Sequence, residues 1–144
     1  MAQDDSSVIE RQIRIAAPPE RVFEFFTDPQ KMLQWLGQEV TVDVRPGGLI
    51  RIDHNGRDIA RGEFLEVVPG RRLVFTWGWE AGGDSSVPPG STTVEVSLVP
   101  DGDGTIVRLR HRNLPAASRE MYDRGWQDQL ARLDKAAAAA MRKF

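Results

Sequence analysis

The sequence contains no cysteine, only two histidines, His54 and His111, and a single tyrosine, Tyr122. Without cysteine there is neither a disulfide nor a thiolate ligand, which is compatible with a cytoplasmic protein. The two histidines are far apart and no closely spaced His/Glu pair accompanies them, so we predict no metal site and no cofactor. A Gly-x-Ser-x-Gly elbow and a phosphate-binding loop are missing as well. The sequence therefore contains no recognised catalytic motif that suggests an activity.

A strong excess of charge is also missing, because 19 basic residues against 21 acidic ones leave a net charge of −2. This balance gives no electrostatic drive toward nucleic acid. No apolar run is long enough to span a bilayer, and the acidic residues 1–7 lack the features of a signal peptide. We expect residues 1–7 to be a disordered tail and residues 8–144 to form one domain, which is cytoplasmic and a monomer or a homodimer.

The chain is instead rich in short strand patterns. Residues 8–15 alternate apolar and polar side chains, and two short helices follow, one opened by Pro18-Pro19 and one by Asp28-Pro29. Six further strands are predicted at residues 39–45, 49–54, 58–68, 72–79, 92–99 and 105–112. Short turns such as Asn55-Gly56 join neighbouring strands, which predicts an antiparallel sheet. Residues 81–91, rich in glycine, serine and proline, form the one long loop.

The last segment, residues 114–144, predicts one long helix with a single broad apolar face. The side chains that recur at helical spacing are Tyr122, Trp126, Leu130, Leu133, Ala137 and Met141. Such a face must be buried, and the sheet needs a cover that only this helix is long enough to provide. We predict the α+β class in a helix-grip arrangement: a curved antiparallel sheet of six to seven strands, two short helices, and a long C-terminal helix packed across the sheet. This arrangement often encloses a cavity.

Gly125 lies in the middle of this helix, where glycine costs about 1 kcal/mol relative to alanine. We interpret it as a steric requirement: the missing side chain either allows close approach of another backbone or leaves room for bulky neighbours at the cavity mouth. Replacement by alanine is then expected to disturb the docking of the helix.

Aromatic side chains are the main candidates for a cavity wall. Leu73, Phe75, Trp77 and Trp79 share one face of their predicted strand, and four tryptophans are more than a domain of this size needs for packing. The ligand-binding wall that we predict is made of Trp35, Phe64, Phe75, Trp77, His111, Tyr122, Trp126 and Leu130.

His111 is the ionisable residue of greatest interest, because it shares the inward parity of Val107 and Leu109. One interpretation makes it a hydrogen-bonding group of the cavity or a general acid/base. The other makes it a neutral core histidine bonded to a backbone group or to Tyr122.

Whether Arg51, Glu63 and Glu66 face the interior depends on the phase of their strands. On residues 49–54, either Ile50, Ile52 and His54 face the helix, which we favour, or Leu49, Arg51 and Asp53 do. Glu63 and Glu66 differ in parity, so at most one of them points inward.

The ordered set of segments resembles a known family. The residues that carry the resemblance are 13–23, 27–35, 46–48, 62–69, 72–77, 109–111 and 125–133. Together they are similar to the START-like (SRPBCC) superfamily, in the branch of activator of heat-shock protein 90 ATPase homologues and polyketide-cyclase-like proteins. The resemblance implies the helix-grip fold and a hydrophobic cavity between sheet and helix.

Three functions remain open at this point. The first is binding of a small hydrophobic or amphipathic organic molecule in the cavity, without turnover, with His111 or Tyr122 orienting a polar end. The second is a cyclase- or dehydratase-like enzyme that uses the same cavity, with His111 and one carboxylate as acid and base. The third, suggested by the family name, is a stress-response or chaperone-associated module with a protein partner.

Overall fold

The computed structural model describes residues 8–141. The predicted tail at residues 1–7 and the predicted helix end at Phe144 lie outside the described residues. The elements follow one another as β1 (Ile9–Ile15), α1 (Pro19–Thr27), α2 (Pro29–Met32), β2 (Glu39–Val42), β3 (Leu49–Asp53), β4 (Ile59–Val68), β5 (Arg72–Trp77), β6 (Trp79–Ala81), β7 (Thr92–Asp101), β8 (Gly104–Arg112), a 3-10 turn (Ala116–Ser118) and α3 (Arg119–Met141).

The strands form an antiparallel sheet in the order β1-β8-β7-β5-β4-β3-β2, with β6 paired to β4. Most neighbours are joined by short turns, but β1 pairs with β8, so that Ile9 lies opposite His111. The two short helices and α3 complete the α+β helix-grip arrangement, which confirms the predicted fold class.

The predicted strand 72–79 is wrong as one element, because it is split at Gly78 into β5 and β6. A Cβ atom at Gly78 would lie 1.8 Å from the Pro88 carbonyl oxygen, so only glycine allows the loop to approach this closely. Beyond the break, the Trp79 amide donates to the Val87 carbonyl at 2.7 Å. The break brings the long loop against the sheet and raises the strand number to eight among the described residues.

The last helix is shorter than predicted at its N-terminal end. Pro115 caps the 3-10 turn, and α3 begins only at Arg119. Its buried face consists of Tyr122, Trp126, Leu130, Leu133 and Ala137, whereas Met141 is 37% exposed and does not continue that face. A bidentate ion pair from Arg11 on β1 to Asp123, at 2.8 and 3.0 Å, ties the helix to the edge of the sheet.

The favoured phase of β3 is confirmed, because Ile50 and Ile52 are buried. On the opposite face Arg51 donates to both carboxylate oxygens of Glu80, at 3.1 and 2.9 Å. His54 follows the inward parity of the two isoleucines at the end of the strand.

Neither Glu63 nor Glu66 points inward, and a β-bulge explains why both can face outward. Phe64 pairs with Phe75 and Glu66 with Val74, so β4 has one extra residue between them. The bulge shifts the parity of the strand, and Glu66 accepts a hydrogen bond from Arg72 on the outer face. Glu63 is exposed. These two carboxylates are therefore unavailable to an interior site.

Candidate functional site

The middle of the space between sheet and helix is filled by side chains. A void among these side chains measures about 10 Å³, at most the space of one water molecule. We call this region the closed centre; its lining residues are Phe26, Met32, Trp35, Leu36, Ile50, Ile52, Phe75, Trp77, Val96, Leu109 and Trp126. The Trp35 indole N–H donates to the Phe25 carbonyl at 2.8 Å, so this ring is both packed and hydrogen-bonded.

A larger space opens toward the N-terminal half of α3. This recess has a volume of about 410 Å³, which is within the usual range of sites for small organic molecules. Its wall consists of Leu36, His54, Asp58, Trp77, Trp79, Gly83, Asp84, Met121, Tyr122, Gly125, Trp126 and Gln129.

The structure separates the predicted wall residues into two groups. Trp77, Tyr122 and Trp126 line the recess, together with Trp79. The others do not line it and lie buried behind it: Trp35, Phe64, Phe75, His111 and Leu130.

The aromatic wall connects the sheet to the helix. The ring of Trp77 lies 5.9 Å from that of Trp79 and 5.9 Å from that of Trp126, with tilted or edge-to-face geometry. The Trp79 indole N–H donates to the Tyr122 hydroxyl at 2.6 Å. Burial raises the pKa of Tyr122 to about 12, so this hydroxyl is uncharged at neutral pH.

His111 lies behind this wall and has both ring nitrogens engaged. The Trp126 indole N–H donates to His111 Nδ1 at 3.0 Å, which makes Nδ1 the acceptor nitrogen of a neutral imidazole. The Nε2–H then donates to the Thr92 hydroxyl at 2.8 Å, and that hydroxyl donates to the Trp77 carbonyl at 2.8 Å. Because Nδ1 accepts a hydrogen bond, it carries no proton, and His111 is uncharged.

Burial without a compensating negative charge lowers the pKa of His111 to about 3. Its hydrogen-bond partners are Trp126 and Thr92, and Tyr122 contributes an edge-to-face ring contact at 5.3 Å. A histidine held neutral in this way, with no free nitrogen, has the geometry of a structural group.

Three buried polar atoms of recess residues have no hydrogen-bond partner in the part of the chain that the structure describes. They are His54 Nε2, Trp77 Nε1 and Gln129 Oε1. The His54 ring lies 6.1 Å from Trp77 and 5.4 Å from Trp79. Burial lowers the pKa of His54, with a smaller opposing effect from a hydrogen bond to the Leu36 carbonyl. Buried polar atoms are nearly always paired in proteins, so their concentration around one recess is unusual.

Two carboxylates complete the wall. Asp58 accepts from the Asn55 side chain at 2.7 Å and from the Gly83 amide at 2.9 Å, and these bonds lower its pKa. Asp84 accepts from Ser118 and from Ser86, each at 2.5 Å, and its pKa is lowered by these bonds. Both groups are therefore ionised at neutral pH.

Gly125 faces open space. A Cβ atom at this position would meet no atom within 4 Å, so the expectation that alanine disturbs helix docking is wrong. The alternative, room for bulky neighbours, is not supported either, because no neighbouring atom occupies that space. Gly125 lines the recess, so the missing side chain widens its mouth.

The predicted wall did not include His54, Asp58, Asp84 or Gln129. For His54 a signal existed, since it continues the inward parity of Ile50 and Ile52 at the end of a strand. Gln129 follows Gly125 by four residues, which places both on one side of the helix. Asp58 and Asp84 gave no signal, because a hairpin end and an irregular loop have no periodicity.

Within residues 8–141 no helix combines the length and the apolar character needed to cross a membrane. The same residues contain no group of three or more side chains of His, Cys, Asp or Glu that could hold a metal ion.

Comparison with known proteins identifies the class. The chain has the START-like fold, in the AHSA1 and polyketide-cyclase-like branch of the superfamily. It belongs to the family described as Activator of Hsp90 ATPase homolog 1-like protein, whose model matches residues 16–138. No curated protein shows a significant sequence match to the chain.

Several solved structures are similar. An AHSA1-like protein from Rhizobium etli is 44% identical with a TM-score of 0.72, over 91% of this chain and 81% of that one. CalU16 from Micromonospora echinospora is 29% identical with a TM-score of 0.74, over 93% and 78% of the two chains. DynU16, a protein in the dynemicin biosynthetic locus, is 24% identical with a TM-score of 0.78, which shows the fold alone. The match covers 90% of this chain but only 46% of DynU16.

Proposed function

We propose that the domain binds a small amphipathic organic molecule in the recess between the sheet and the N-terminal half of α3. The observation that carries the proposal is the clustering of His54 Nε2, Trp77 Nε1 and Gln129 Oε1, all buried and unpaired, around an aromatic-lined space of about 410 Å³. An unsatisfied buried polar group costs about 1–3 kcal/mol. A ligand that hydrogen-bonds to these atoms provides partners that the protein itself does not supply.

Burial of apolar surface supplies the rest of the affinity, at roughly 25 cal/mol per Å². The tryptophans of the wall, Trp77, Trp79 and Trp126, offer large rigid surfaces for it. His111 acts through Trp126, whose indole it holds in place, and Tyr122 acts in the same way on Trp79.

Binding without turnover is favoured over cyclase or dehydratase activity by the protonation states of the site. His111 is neutral with a pKa of about 3, and Tyr122 is neutral with a pKa of about 12. Asp58 and Asp84 have lowered pKa values and are ionised. General acid–base catalysis works best with groups that titrate near neutral pH, and none of these four does. Burial lowers the pKa of His54 below 6.5, so this fifth group is uncharged at neutral pH as well.

The test uses Gly125 as a means of filling the recess. Gly125→Leu places a side chain in open space that belongs to the recess, so we expect the protein to fold and its ligand binding to be lost. Ala131→Leu adds a leucine at an exposed position of the same helix outside the recess and is the matched control. Binding of sterols, fatty acids, flavonoids, aromatic polyketides, aryl alcohols and arylalkyl amines is measured by tryptophan fluorescence and by calorimetry.

The proposal expects at least one of these ligands to bind the unchanged protein and Ala131→Leu alike, and to bind Gly125→Leu at least about tenfold more weakly. Equal binding to Gly125→Leu would place the ligand elsewhere. If no ligand of the panel binds the folded protein, the binding function is refuted. Turnover of a ligand that is abolished by His111→Gln would instead support the enzyme.

A further inference from the structure

Among the described residues, the two carboxylates of the recess form no ion pair, in contrast to those that tie the helix and the sheet together. Asp123 is paired with Arg11, and Glu80 with Arg51. Asp58 and Asp84 are instead stabilised by uncharged donors, namely amide and hydroxyl groups. In the part of the chain that the structure describes, neither forms an ion pair. Their negative charges are therefore not neutralised by direct contact.

Both charges border the recess and come from chain segments that are in contact. Asp58 accepts the Gly83 amide, and Asp84 is the next residue in the chain. Arg57 acts on Asp58 and Arg132 acts on His54 through space, but among residues 8–141 no lysine or arginine lines the recess. An anionic ligand would find two like charges there and no counter-charge.

The tryptophan rings and Gln129 also favour a ligand with a positive charge or a hydrogen-bond donor, whereas Trp77 Nε1 requires an acceptor. The faces of tryptophan rings carry partial negative charge and attract cations. Gln129 Oε1, buried and unpaired, requires a hydrogen-bond donor. Trp77 is only 5% exposed and its unpaired indole N–H requires an acceptor, which an ether, hydroxyl or carbonyl group in the body of the ligand can supply.

We propose that the recess selects an amphipathic organic cation: an uncharged aromatic or aliphatic body lies among Trp77, Trp79 and Trp126, and a protonated amine faces Asp58 and Asp84. This inference rests on the proposed function and narrows its ligand to one charge class. Carboxylate-bearing molecules such as fatty acids are repelled by the two aspartates and are expected to bind there more weakly.

The test compares three probes that share one body and differ in the end group: 2-(1-naphthyl)ethylamine, 2-(1-naphthyl)ethanol and 1-naphthylacetic acid. Their affinities are measured by isothermal titration calorimetry at neutral pH. We expect the amine to bind about tenfold more tightly than the alcohol, and the acid to bind more weakly than the alcohol.

Two double variants then test whether the preference for the amine over the alcohol comes from Asp58 and Asp84. In Asp58→Asn/Asp84→Asn the amine and the alcohol are expected to bind within about threefold of each other, with the affinity of the alcohol unchanged. Glu63→Gln/Asp128→Asn removes the same net charge at exposed positions outside the recess, and it is expected to retain the preference for the amine.

The affinities of the three probes for the unchanged protein test the inference even if a variant fails to fold. An acid that binds as tightly as the amine, or an alcohol that equals the amine, overturns this inference alone, since recess binding itself is then observed. A preference for the amine that survives Asp58→Asn/Asp84→Asn also overturns it. If none of the three probes and no member of the wider panel binds, the proposed function falls together with the inference.

Discussion

The two histidines differ in their hydrogen bonding, one behind the closed centre and the other in the wall of the recess. His111, behind the closed centre, has a donor on one ring nitrogen and an acceptor on the other. His54, in the wall of the recess, has an Nε2 atom that is buried with no partner. Burial lowers the pKa of both. The difference teaches that burial alone does not distinguish a structural group from a binding group; whether the protein itself completes the hydrogen bonds does.

Trp126 belongs to both regions, since its ring lines the recess and the closed centre. Its N–H points to His111, and its ring packs 5.9 Å from Trp77. Substitutions at or near this ring therefore show whether it contributes to the stability of the core, to ligand binding, or to both.

The largest effect is expected from Trp126→Ala. Truncating a ring that is 6% exposed removes core contacts and leaves His111 Nδ1 unpaired, which costs about 3–5 kcal/mol of unfolding free energy. Trp126→Phe keeps most of the packing and loses the donor, so its cost should be about 1–3 kcal/mol. Urea unfolding at pH 7 measures both. A cost below about 1 kcal/mol for Trp126→Ala, with loss of ligand binding, would move this ring from the core to the binding site.

A second, smaller effect concerns acid. The unfolded chain protonates His111 near its usual pKa of 6.5, whereas folded His111 stays neutral down to about pH 3. Because the unfolded state binds the extra proton in this window, the unfolding free energy falls as the pH drops below 6.5. The expected slope from His111 is about 1.4 kcal/mol per pH unit, or about 2.5 kcal/mol between pH 6.5 and 4.5.

His54 contributes in the same direction, since its folded pKa is also lowered. The two contributions separate in His111→Gln and His54→Gln, measured by urea unfolding at several pH values. We expect His111→Gln to flatten the dependence more strongly, because His111 is the more deeply buried ring. An unchanged slope in His111→Gln would contradict the neutral hydrogen-bonded state of His111.

The smallest effect is a gain. Gly125→Ala restores a good helix former where an added Cβ meets no atom, so stability should rise by about 0.5–1 kcal/mol. Thermal unfolding measures it, with Ala131→Gly as the reverse substitution at an exposed site of the same helix. Loss of stability in Gly125→Ala would mean that α3 lies closer to its surroundings than the structure shows.

Much of the fold was predictable because it depends on periodic patterns. The alternation in β3 and β8 gave the inward facing of Ile52 and His111, and helical spacing gave the buried face of α3 as far as Ala137. The departures have local causes that periodicity does not contain: the close approach of Pro88 to Gly78, and the extra residue at Leu65 that turns Glu63 and Glu66 to the same face.

The site was less predictable than the fold. Aromatic side chains with inward parity were identifiable, but parity cannot show which of them pack against each other and which border an empty space. Phe75 and Trp77 lie on the same strand and face, yet only Trp77 reaches the recess. Asp84 enters the wall through the position of the loop, which depends on contacts with Ser118 far along the chain.

The pairing of β1 with β8 has a consequence for the order of folding. Ile9 meets His111, and Arg11 bonds Asp123, a residue 112 positions away. Closing so distant a contact is entropically costly, and chains dominated by such pairings fold on a scale of about milliseconds to seconds. On the ribosome the first strand must wait for nearly the whole domain to be synthesised. Until β8 has been synthesised, β1 has no partner strand, and during this time the nascent chain is exposed to wrong strand pairing.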